Sequence, residues 1–341
     1  MKEPRNRLRR APTILDVAEA AGVSKSVVSR ALRGEAKVSK EAAAAVQKAI
    51  KQLRYQPNFV ARSLKERISP VIGVVTGDLR NPYYVDILDG VYSSADKQKY
   101  KVIVASGHGV PGGEEAAIRS LIEFRVAGLI LASPNLEMKE IQALAGDLPV
   151  AIEGRHDALE KFDVVTSDDR LGGQMAIEHL VNFGHKKILI LTDSSPGSSE
   201  RQKGFDAAIR SAGITKSVLR RKCEPTTDGG HSAIELILRE NIAFTAVVCS
   251  NDVTACGVLA ALSEEGLRVP RDISVTGFDD IDLVSMRQFD LTTIRQDRTE
   301  IGKLAFDAVY KRANSVTKIK SKRTILEPRL IIRGSSGQAK N

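Results

Sequence analysis

From Val71 onward, short apolar runs alternate with amphipathic stretches of helix length. The runs have the length and composition of buried strands: VIGVV (71–75), KVIVAS (101–106), GLILAS (128–133), PVAIE (149–153), KILILT (187–192), AVVCS (246–250) and ISVTGF (273–278). This alternation is typical of parallel sheets covered by helices. Because the runs are too many for one ordinary sheet, two lobes of about six strands each are predicted, with a boundary near 162–163.

The positive charge of the chain lies in its first fifth. Residues 1–70 hold 16 of the 51 Lys and Arg but 6 of the 42 Asp and Glu, which gives them a net charge of +10 and leaves −1 for the rest. A basic segment on a near-neutral body indicates a polyanion partner at one end. Nucleic acid is the first candidate, and an anionic membrane surface is the second.

The stretch TILDVAEAAGVSKSVVSRAL (13–32) predicts two short helices joined by a tight turn at Gly22. Thr13 can cap the first helix and Ser24 the second, and Ser39 can cap a third helix that ends near Leu53. This spacing is the helix-turn-helix pattern, whose second helix enters the major groove of DNA. The alternative is an ordinary three-helix bundle with a solvated basic face, but the location of the charge favours DNA.

In the DNA-binding interpretation, the start of the second helix faces base edges with Lys25, Ser26, Ser29 and Arg30. Lys and Arg can address guanine acceptors, whereas Ser is permissive. Ser24 and the backbone at the helix start could hold a phosphate.

The stretch YQPNFVARSLKER (55–67) contains a helical segment, 59–64, that Asn58 can cap. It is far shorter than the ~12–15 residues that an isolated helix needs in water. It is therefore either a linker or a helix that forms only against a partner. In the second case, Leu64 is placed as an apolar wedge between base steps in the minor groove.

The sequence lacks the motifs of several classes of protein. No apolar run approaches the ~18 residues of a membrane span, and no apolar core of a secretory signal follows the charged first residues. Three cysteines fit neither a disulfide framework nor a zinc site. Hydrolase, metalloprotease and phosphate-loop motifs are missing as well. We therefore expect a cytoplasmic protein that does not act on membranes, uses no cofactor or metal, and is not an enzyme.

Motifs in the head and in the body together resemble the lactose-repressor/galactose-repressor (LacI/GalR) family of bacterial transcription regulators. The matching stretches are residues 13–32, YQPNFVARSL (55–64), DDRLGGQMAIEHL (168–180), RQKGF (201–205), SNDVTACG (250–257), LRVPRDISVTGFDD (267–280) and LTTIRQD (291–297). The resemblance covers about residues 12–333.

The resemblance implies an all-α helix-turn-helix head and hinge helix joined to an α/β two-lobed body like type I periplasmic binding proteins. The implied domains are the head (1–56), the hinge (57–68), the effector-binding core (69–333) and a polar tail (334–341) expected to be disordered. Three chain crossovers would divide the core into lobe 1, at about 69–162 and 298–322, and lobe 2, at about 163–292 and 323–333.

The resemblance also assigns site residues. For DNA it marks Lys25, Ser26 and Arg30 of the recognition helix and Ala61 and Leu64 of the hinge. With the polar residues already placed at the helix starts and in the recognition helix, the expected DNA-binding set is Thr13, Ser24, Lys25, Ser26, Ser29, Arg30, Asn58, Ala61 and Leu64. For a small ligand it marks positions lining the cleft between the lobes, which are Tyr83, Tyr84, Arg155, Arg201, Asn251, Asp279 and Gln296.

Most of the ligand positions follow directly after predicted strands. Ligands of such folds bind beyond the carboxyl ends of parallel strands. Carboxylates and amides can hold pairs of hydroxyls, Arg can donate to two oxygens, and aromatic faces can cover the C–H edges of a sugar ring. This chemistry predicts a sugar, sugar acid, polyol or nucleoside-like metabolite.

The leading hypothesis is a ligand-responsive repressor that binds a palindromic operator as a homodimer, since no C-terminal leucine heptads for a tetramer appear. Ligand closure of the lobes would then change the DNA affinity of the heads. The alternatives are a solute-binding sensor or a doubly wound enzyme without operator-specific DNA binding. A transport protein would need a secretory signal and no head, and an enzyme would need a catalytic motif.

Overall fold

The computed structural model describes residues 12–32, 37–55, 70–107, 110–157 and 161–340. The chain divides into two compact units, residues 1–69 and 70–341. Elements are labelled here in chain order. The predicted hinge residues Asn58, Ala61 and Leu64 lie outside the described residues.

The first unit contains the three predicted helices, Ile14–Ala21 (α1), Lys25–Leu32 (α2) and Lys40–Leu53 (α3). Thr13 caps α1 in a reciprocal capping box with Asp16, and Gly22 ends α1 in the left-handed conformation, with a φ of 65°. The fully buried Val17, Val28 and Val46, one from each helix, form the centre of a small core. Small apolar residues therefore let α1 and α2 pack closely across a tight turn.

The first lobe of the body is built on a six-stranded sheet in which every pairing is parallel. Its spatial order is β11-β5-β4-β3-β1-β2, and the strands are Val71–Thr76 (β1), Lys101–Ser106 (β2), Gly128–Ala132 (β3), Val150–Glu153 (β4), Asp163–Ser167 (β5) and Arg323–Leu326 (β11). Its helices are Tyr83–Lys97 (α4), Gly113–Glu123 (α5), Met138–Ala145 (α6) and Arg298–Ala313 (α11).

The second lobe has a four-stranded parallel sheet of order β7-β6-β8-β9, with strands Ile188–Thr192 (β6), Val218–Lys222 (β7), Ala246–Cys249 (β8) and Ser274–Thr276 (β9). An antiparallel pair, Thr293–Arg295 (β10) and Arg329–Ile331 (β12), joins it through bridges at Thr276 and Asp279. Its helices are Asp169–Asn182 (α7), Pro196–Ser211 (α8), Thr227–Arg239 (α9) and Asp252–Glu264 (α10).

Two helix pairs cross at glycines, and these crossings hold functional side chains in place. In the second lobe, a Cβ at Gly204 of α8 would lie 2.0 Å from the Arg170 carbonyl oxygen of α7. In the first lobe, a Cβ at Gly302 of α11 would lie 2.0 Å from the Ile87 carbonyl oxygen of α4. Only glycine permits backbones to approach this closely.

The expected division of the lobes was wrong for two strands. Residues 163–167 and 323–326 were assigned to lobe 2, but β5 and β11 pair with each other and extend the first sheet beyond β4. Asp163 at the start of β5 is buried and ion-paired with Arg312 of α11, which fixes the strand in the first lobe. The chain therefore passes into the second lobe after Ser167.

The expectation of a disordered tail was also wrong for residues 334–340. Ser335 and Ser336 are buried, and the Ser335 hydroxyl donates to the Val275 carbonyl oxygen at 2.6 Å. The Ser336 hydroxyl lies 2.8 Å from Nε2 of His179. The tail packs along β9 because its serines satisfy polar groups there. Within the described residues, no helix is long and apolar enough to cross a membrane.

Candidate functional site

The start of α2 presents polar side chains to solvent. Ser24, Lys25 and Ser26 are exposed, whereas Ser29 and Arg30 are half-buried. Ser24 caps the helix weakly, since its Oγ accepts from the Val27 amide at 3.4 Å, and it also lies 2.8 Å from the Ser26 hydroxyl. The exposed start of α2 therefore presents the ammonium group of Lys25 between the hydroxyl groups of Ser24 and Ser26.

Arg30 and Thr13 have contacts within the head itself. Nε of Arg30 donates to the Ser26 carbonyl oxygen at 3.3 Å, which lays the guanidinium along the helix. The Thr13 hydroxyl donates to Asp16 at 2.7 Å as part of the α1 cap. The Thr13 hydroxyl, expected to contact DNA, is therefore hydrogen-bonded within the α1 cap.

Arg201 is the centre of a buried polar cluster in the body. Its Nε donates to Oδ1 of Asp169 at 2.8 Å, Nη1 donates to the Ser250 carbonyl oxygen at 2.5 Å, and Nη2 lies 3.7 Å from Oδ1 of Asp279. The guanidinium also sits 3.9 Å above the centre of the Phe278 ring. Ion pairing, hydrogen bonding and cation–π contact thus hold one planar group in a single orientation.

Asp279 and Asp280 occupy the loop after β9 with strained backbone. Their φ values are 120° and 57°, in a region that costs non-glycine residues of order 1–3 kcal/mol. The Asp279 carboxylate accepts from Nε2 of Gln296 at 2.7 Å, and both side chains are almost fully buried. The strain places the Asp279 carboxylate beside Arg201 and Gln296.

An aromatic pair approaches the same cluster from the first lobe. The Tyr83 hydroxyl donates to Oε1 of Glu153 at 2.5 Å, and the Ser133 hydroxyl donates to Oε2 at 2.9 Å. Tyr84 meets the Tyr83 ring edge-on, with centroids 5.4 Å apart. The pKa of Tyr83 is raised by burial and by the negative charges of Glu153, Asp279 and Asp169, so these groups share one environment.

The cluster contains carboxyl groups whose pKa values lie near neutrality. Burial raises the pKa of Glu153 to about 7, against the lowering effect of its hydrogen bonds with Tyr83 and Ser133. Burial likewise raises the pKa of Asp279 to about 6, although the positive charge of Arg201 opposes the shift. Burial disfavours the charge of Arg201, yet Asp169 and Asp279 outweigh it and raise the pKa of the guanidinium.

Asn251 and Arg155, both expected to contact ligand, already have structural partners. Oδ1 of Asn251 accepts from the Thr254 amide at 2.8 Å and caps α10. Arg155 is ion-paired with Asp157 at 2.6 Å and donates to the Pro134 and Leu136 carbonyl oxygens. The structure therefore brings Tyr83, Tyr84, Arg201, Asp279 and Gln296 together, but it engages the donors of Arg155 elsewhere.

Sequence reasoning missed three members of the cluster: Glu153, Asp169 and Phe278. Glu153 is the last residue of β4 and is 1% exposed, so its place at a strand end was the available signal. Asp169 is the first residue of α7 and directly follows Asp168, which caps that helix by accepting from the Leu171 amide. Phe278 ended an apolar run and resembled core.

The described residues give no support to a metal site, since none of their His, Cys, Asp and Glu side chains form a group of three or more suited to an ion. His179 and His185 hydrogen-bond to Ser336 and to Thr245, respectively, each at 2.8 Å.

Comparison with known proteins identifies the family. Residues 13–58 match the bacterial regulatory proteins of the lacI family, and residues 69–329 match the periplasmic binding proteins and sugar binding domain of the LacI family. The chain belongs to the LacI family. The expected family and fold class are thereby confirmed.

Individual relatives cover nearly the whole chain. The ribose operon repressor of Escherichia coli K12 is 33% identical over 333 residues, which is 95% of this chain and 99% of that protein. The transcriptional repressor PurR of Vibrio vulnificus is 33% identical over 329 residues, 94% of this chain and 97% of that protein. The lac repressor dimer bound to operator and the anti-inducer ONPF is 29% identical, with a TM-score of 0.83 over 96% of this chain and 100% of that one.

These relatives are transcriptional repressors and not enzymes. The protein is accordingly a LacI-family repressor that binds DNA and a small effector. The solute-binding and enzyme alternatives are set aside.

Proposed function

We propose that this repressor binds a palindromic operator as a homodimer and that a pentose such as D-ribose is its effector. The effector would bind between the Arg201–Asp279 cluster and the Tyr83–Tyr84 pair and thereby change the affinity for DNA. The observation that carries this proposal is the buried cluster in which Arg201 contacts both Asp169 and Asp279. The protein would act in the cytoplasm, at the DNA.

The recognition helix supports the DNA half of the proposal. Lys25 is exposed at the start of α2, where the family enters the major groove, and it can donate to guanine O6 or N7. Ser24 and Ser26 add small hydroxyls on the same turn, suited to phosphate or base contacts. Asn58, Ala61 and Leu64 are proposed to complete the contact in the minor groove on the strength of the family resemblance alone.

The chemistry of the cluster supports a neutral polyhydroxylated effector. Glu153, Asp169 and Asp279 offer acceptors for hydroxyl groups, whereas Arg201 already has two carboxylates beside it. An anionic effector would have to compete with Asp169 and Asp279 for the Arg201 guanidinium, whereas a neutral sugar would not. The similarity to a ribose operon repressor makes D-ribose the first candidate among such ligands.

A dimer is supported by the operator-bound lac repressor dimer and by an exposed apolar stripe. Val85 and Tyr92, seven residues apart on α4, are 49% and 43% exposed. Two turns of helix place both on one face. We propose that this face contacts a second copy of the chain and that ligand closure alters the contact.

Thermal unfolding with added ligands tests the effector assignment. A ligand that binds only the folded protein stabilises it by about 2.7 kcal/mol at a concentration of 100 Kd. D-ribose should raise Tm in a concentration-dependent way, whereas inosine and L-arabinose at equal concentration should raise it less. A rise in Tm with inosine but not with D-ribose would indicate that the effector is a nucleoside and not a pentose. No rise with D-ribose at millimolar concentration would contradict the proposal.

A further inference from the structure

Arg298 joins the first lobe to the strained loop of the second. It is the first residue of α11, and its side chain is 8% exposed. Its Nε and Nη2 donate to Oδ2 of Asp86 on α4, at 2.8 and 2.5 Å. The same guanidinium donates to the carbonyl oxygen of Asp279 and, at 2.9 Å, to that of Asp280. The buried guanidinium of Arg298 thus donates four hydrogen bonds, two to the Asp86 carboxylate and two to backbone carbonyl groups.

The two carbonyl groups belong to Asp279 and Asp280, whose φ values are both positive. The Asp279 amide donates to the Ile294 carbonyl oxygen, and the Ile281 amide donates to Oδ2 of Asp252. These bonds fix the loop from the side of the second lobe, and Arg298 fixes it from the other side. A strained conformation persists only where its surroundings overdetermine it, and Arg298 supplies the contacts across the lobes.

The first-lobe anchor of this arrangement is rigid. α4 and α11 cross at Gly90 and Gly302, where an added Cβ would meet the partner backbone at 2.0 Å. Asp86 lies one turn before Gly90 on α4, and Arg298 lies one turn before Gly302 on α11. The crossing therefore determines the distance between the Asp86 carboxylate and the guanidinium.

We propose that Arg298, anchored by Asp86, is a positioning residue that holds Asp279 in effector-binding geometry and ties that geometry to the first lobe. The inference rests on the proposed effector site. Arg298 would act through the backbone of the Asp279–Asp280 loop, and α4, which bears the proposed dimer face, would respond to any change at that loop.

A cavity of about 410 Å³ lies beside the Asp86–Arg298 ion pair. Asp86, Asp282 and Arg298 all line it. Water in this polar space can solvate the groups left when the pair is broken, so Asp86→Asn should not unfold the protein. Asp282→Asn is the matched control, because it removes the same charge from the same cavity and Asp282 is exposed.

Amide hydrogen exchange of the full-length protein, without effector, measures the positioning directly. Asp86→Asn should reduce protection of the Asp279 and Ile281 amides about tenfold, leaving Val247 and Val248 of β8 unchanged. Asp282→Asn should leave all four unchanged, and Asp86→Glu should largely restore protection. The proposal would be overturned if the Asp279 amide were equally protected in Asp86→Asn and Asp282→Asn. It would also be overturned if Asp86→Asn lost as much protection at Val247 and Val248 of β8 as at Asp279.

A second variant and a second readout separate this proposal from the effector assignment. Arg298→Lys keeps the positive charge but loses the several guanidinium donors that contact Asp86 and the loop together. It should therefore show the same selective loss of amide protection. This variant replaces Asp86→Asn in the experiment if Asp86→Asn does not fold. Calorimetric titration with D-ribose should give a Kd at least fivefold weaker for Asp86→Asn than for Asp282→Asn. If the wild-type protein gives no binding heat with D-ribose, the pentose assignment fails, and the exchange result still decides the role of Arg298.

Discussion

Arg201 and Asp169 form a hydrogen-bonded ion pair of 2.8 Å whose side chains are 12% and 2% exposed. The pair joins the middle of α8 to the first residue of α7, two helices whose close crossing depends on glycine. Arg201 reaches Asp279 from the same position, at 3.7 Å. One guanidinium therefore connects two helices to the loop that carries the proposed effector contacts.

Arg201→Ala should abolish the response to effector while leaving operator binding intact. The substitution removes the donors that orient Asp169 and Asp279, whereas the head folds around its own core. Fluorescence anisotropy on operator DNA should show an effector-free Kd within about twofold of the wild type. D-ribose should then no longer shift it.

Arg210→Ala is the matched control for Arg201→Ala, because Arg210 is an exposed arginine in the last turn of α8. It should respond to D-ribose like the wild type. A normal ribose response in Arg201→Ala would show that the cluster is not the effector site. Circular dichroism melting of both variants checks that loss of the Arg201 contact to Asp169, which keeps its contact with His156, has not unfolded the lobe.

Lys25→Ala should change which half-site the protein prefers. Losing a well-formed contact to a base edge costs ~1–3 kcal/mol and relaxes specificity at that base pair. Competition binding against operators varied one base pair at a time should locate a single relaxed position. Lys48→Ala, at an exposed site on α3, is the control, and it should weaken binding to all operator sequences equally or leave binding unchanged. An even loss for Lys25→Ala would mean a phosphate contact.

Glu153→Gln should alter how stability depends on pH. Folding raises the pKa of Glu153 from 4.5 to about 7, so the folded state binds this proton more tightly than the unfolded state. Its contribution to stability is complete below pH 4.5 and is lost as the pH rises to about 7. Relative to the wild type, the free energy of unfolding of Glu153→Gln should therefore rise by about 1–3 kcal/mol between pH 5 and pH 8.

Urea unfolding at several pH values measures this difference. Other titrating groups, such as the buried histidines, are common to both proteins and cancel in the comparison. Glu123→Gln, at an exposed position at the end of α5, should run parallel to the wild type at every pH. Parallel curves for Glu153→Gln would show that the buried carboxyl is ionised across the whole range.

Tyr92→Glu should weaken self-association if the exposed stripe of α4 is the dimer face. A charge at the centre of an apolar contact must be desolvated without a partner, which opposes association. Light scattering should give twice the 37.0 kDa chain mass for the wild type and a mass near one chain for the variant. Phe124→Glu alters an aromatic residue outside α4 that is more exposed than Tyr92, and this variant should remain dimeric.

Most strands of the body were predictable because each is an apolar run bounded by polar turns. The predicted runs at 71–75, 101–106 and 187–192 match β1, β2 and β6 to within one residue. β7 was missed, since its sequence VLRRK belongs to an edge strand whose arginines pair outward with Asp206 and Glu240. A charged edge strand carries no apolar signal.

The effector cluster was only partly predictable, because its partners lie far apart in sequence. Arg201, Asp279 and Gln296 stood at strand ends or in family motifs, so sequence reasoning found them. The roles of Asp169 and Glu153 arise from contacts with Arg201 and Tyr83, 32 and 70 positions away. Asn251 was expected to contact ligand because it follows β8, but in the structure its side chain caps α10.

Selection of genomic fragments by the purified protein tests whether it is an operator-binding repressor that responds to a sugar. It should be run at ~150 mM salt, where non-specific phosphate binding is suppressed, with and without D-ribose. We expect a few enriched palindromic sites beside genes for the uptake or breakdown of a sugar, with an occupancy that D-ribose changes. Enrichment of no site in either condition, or of sites whose occupancy ignores D-ribose and every other added metabolite, would contradict it.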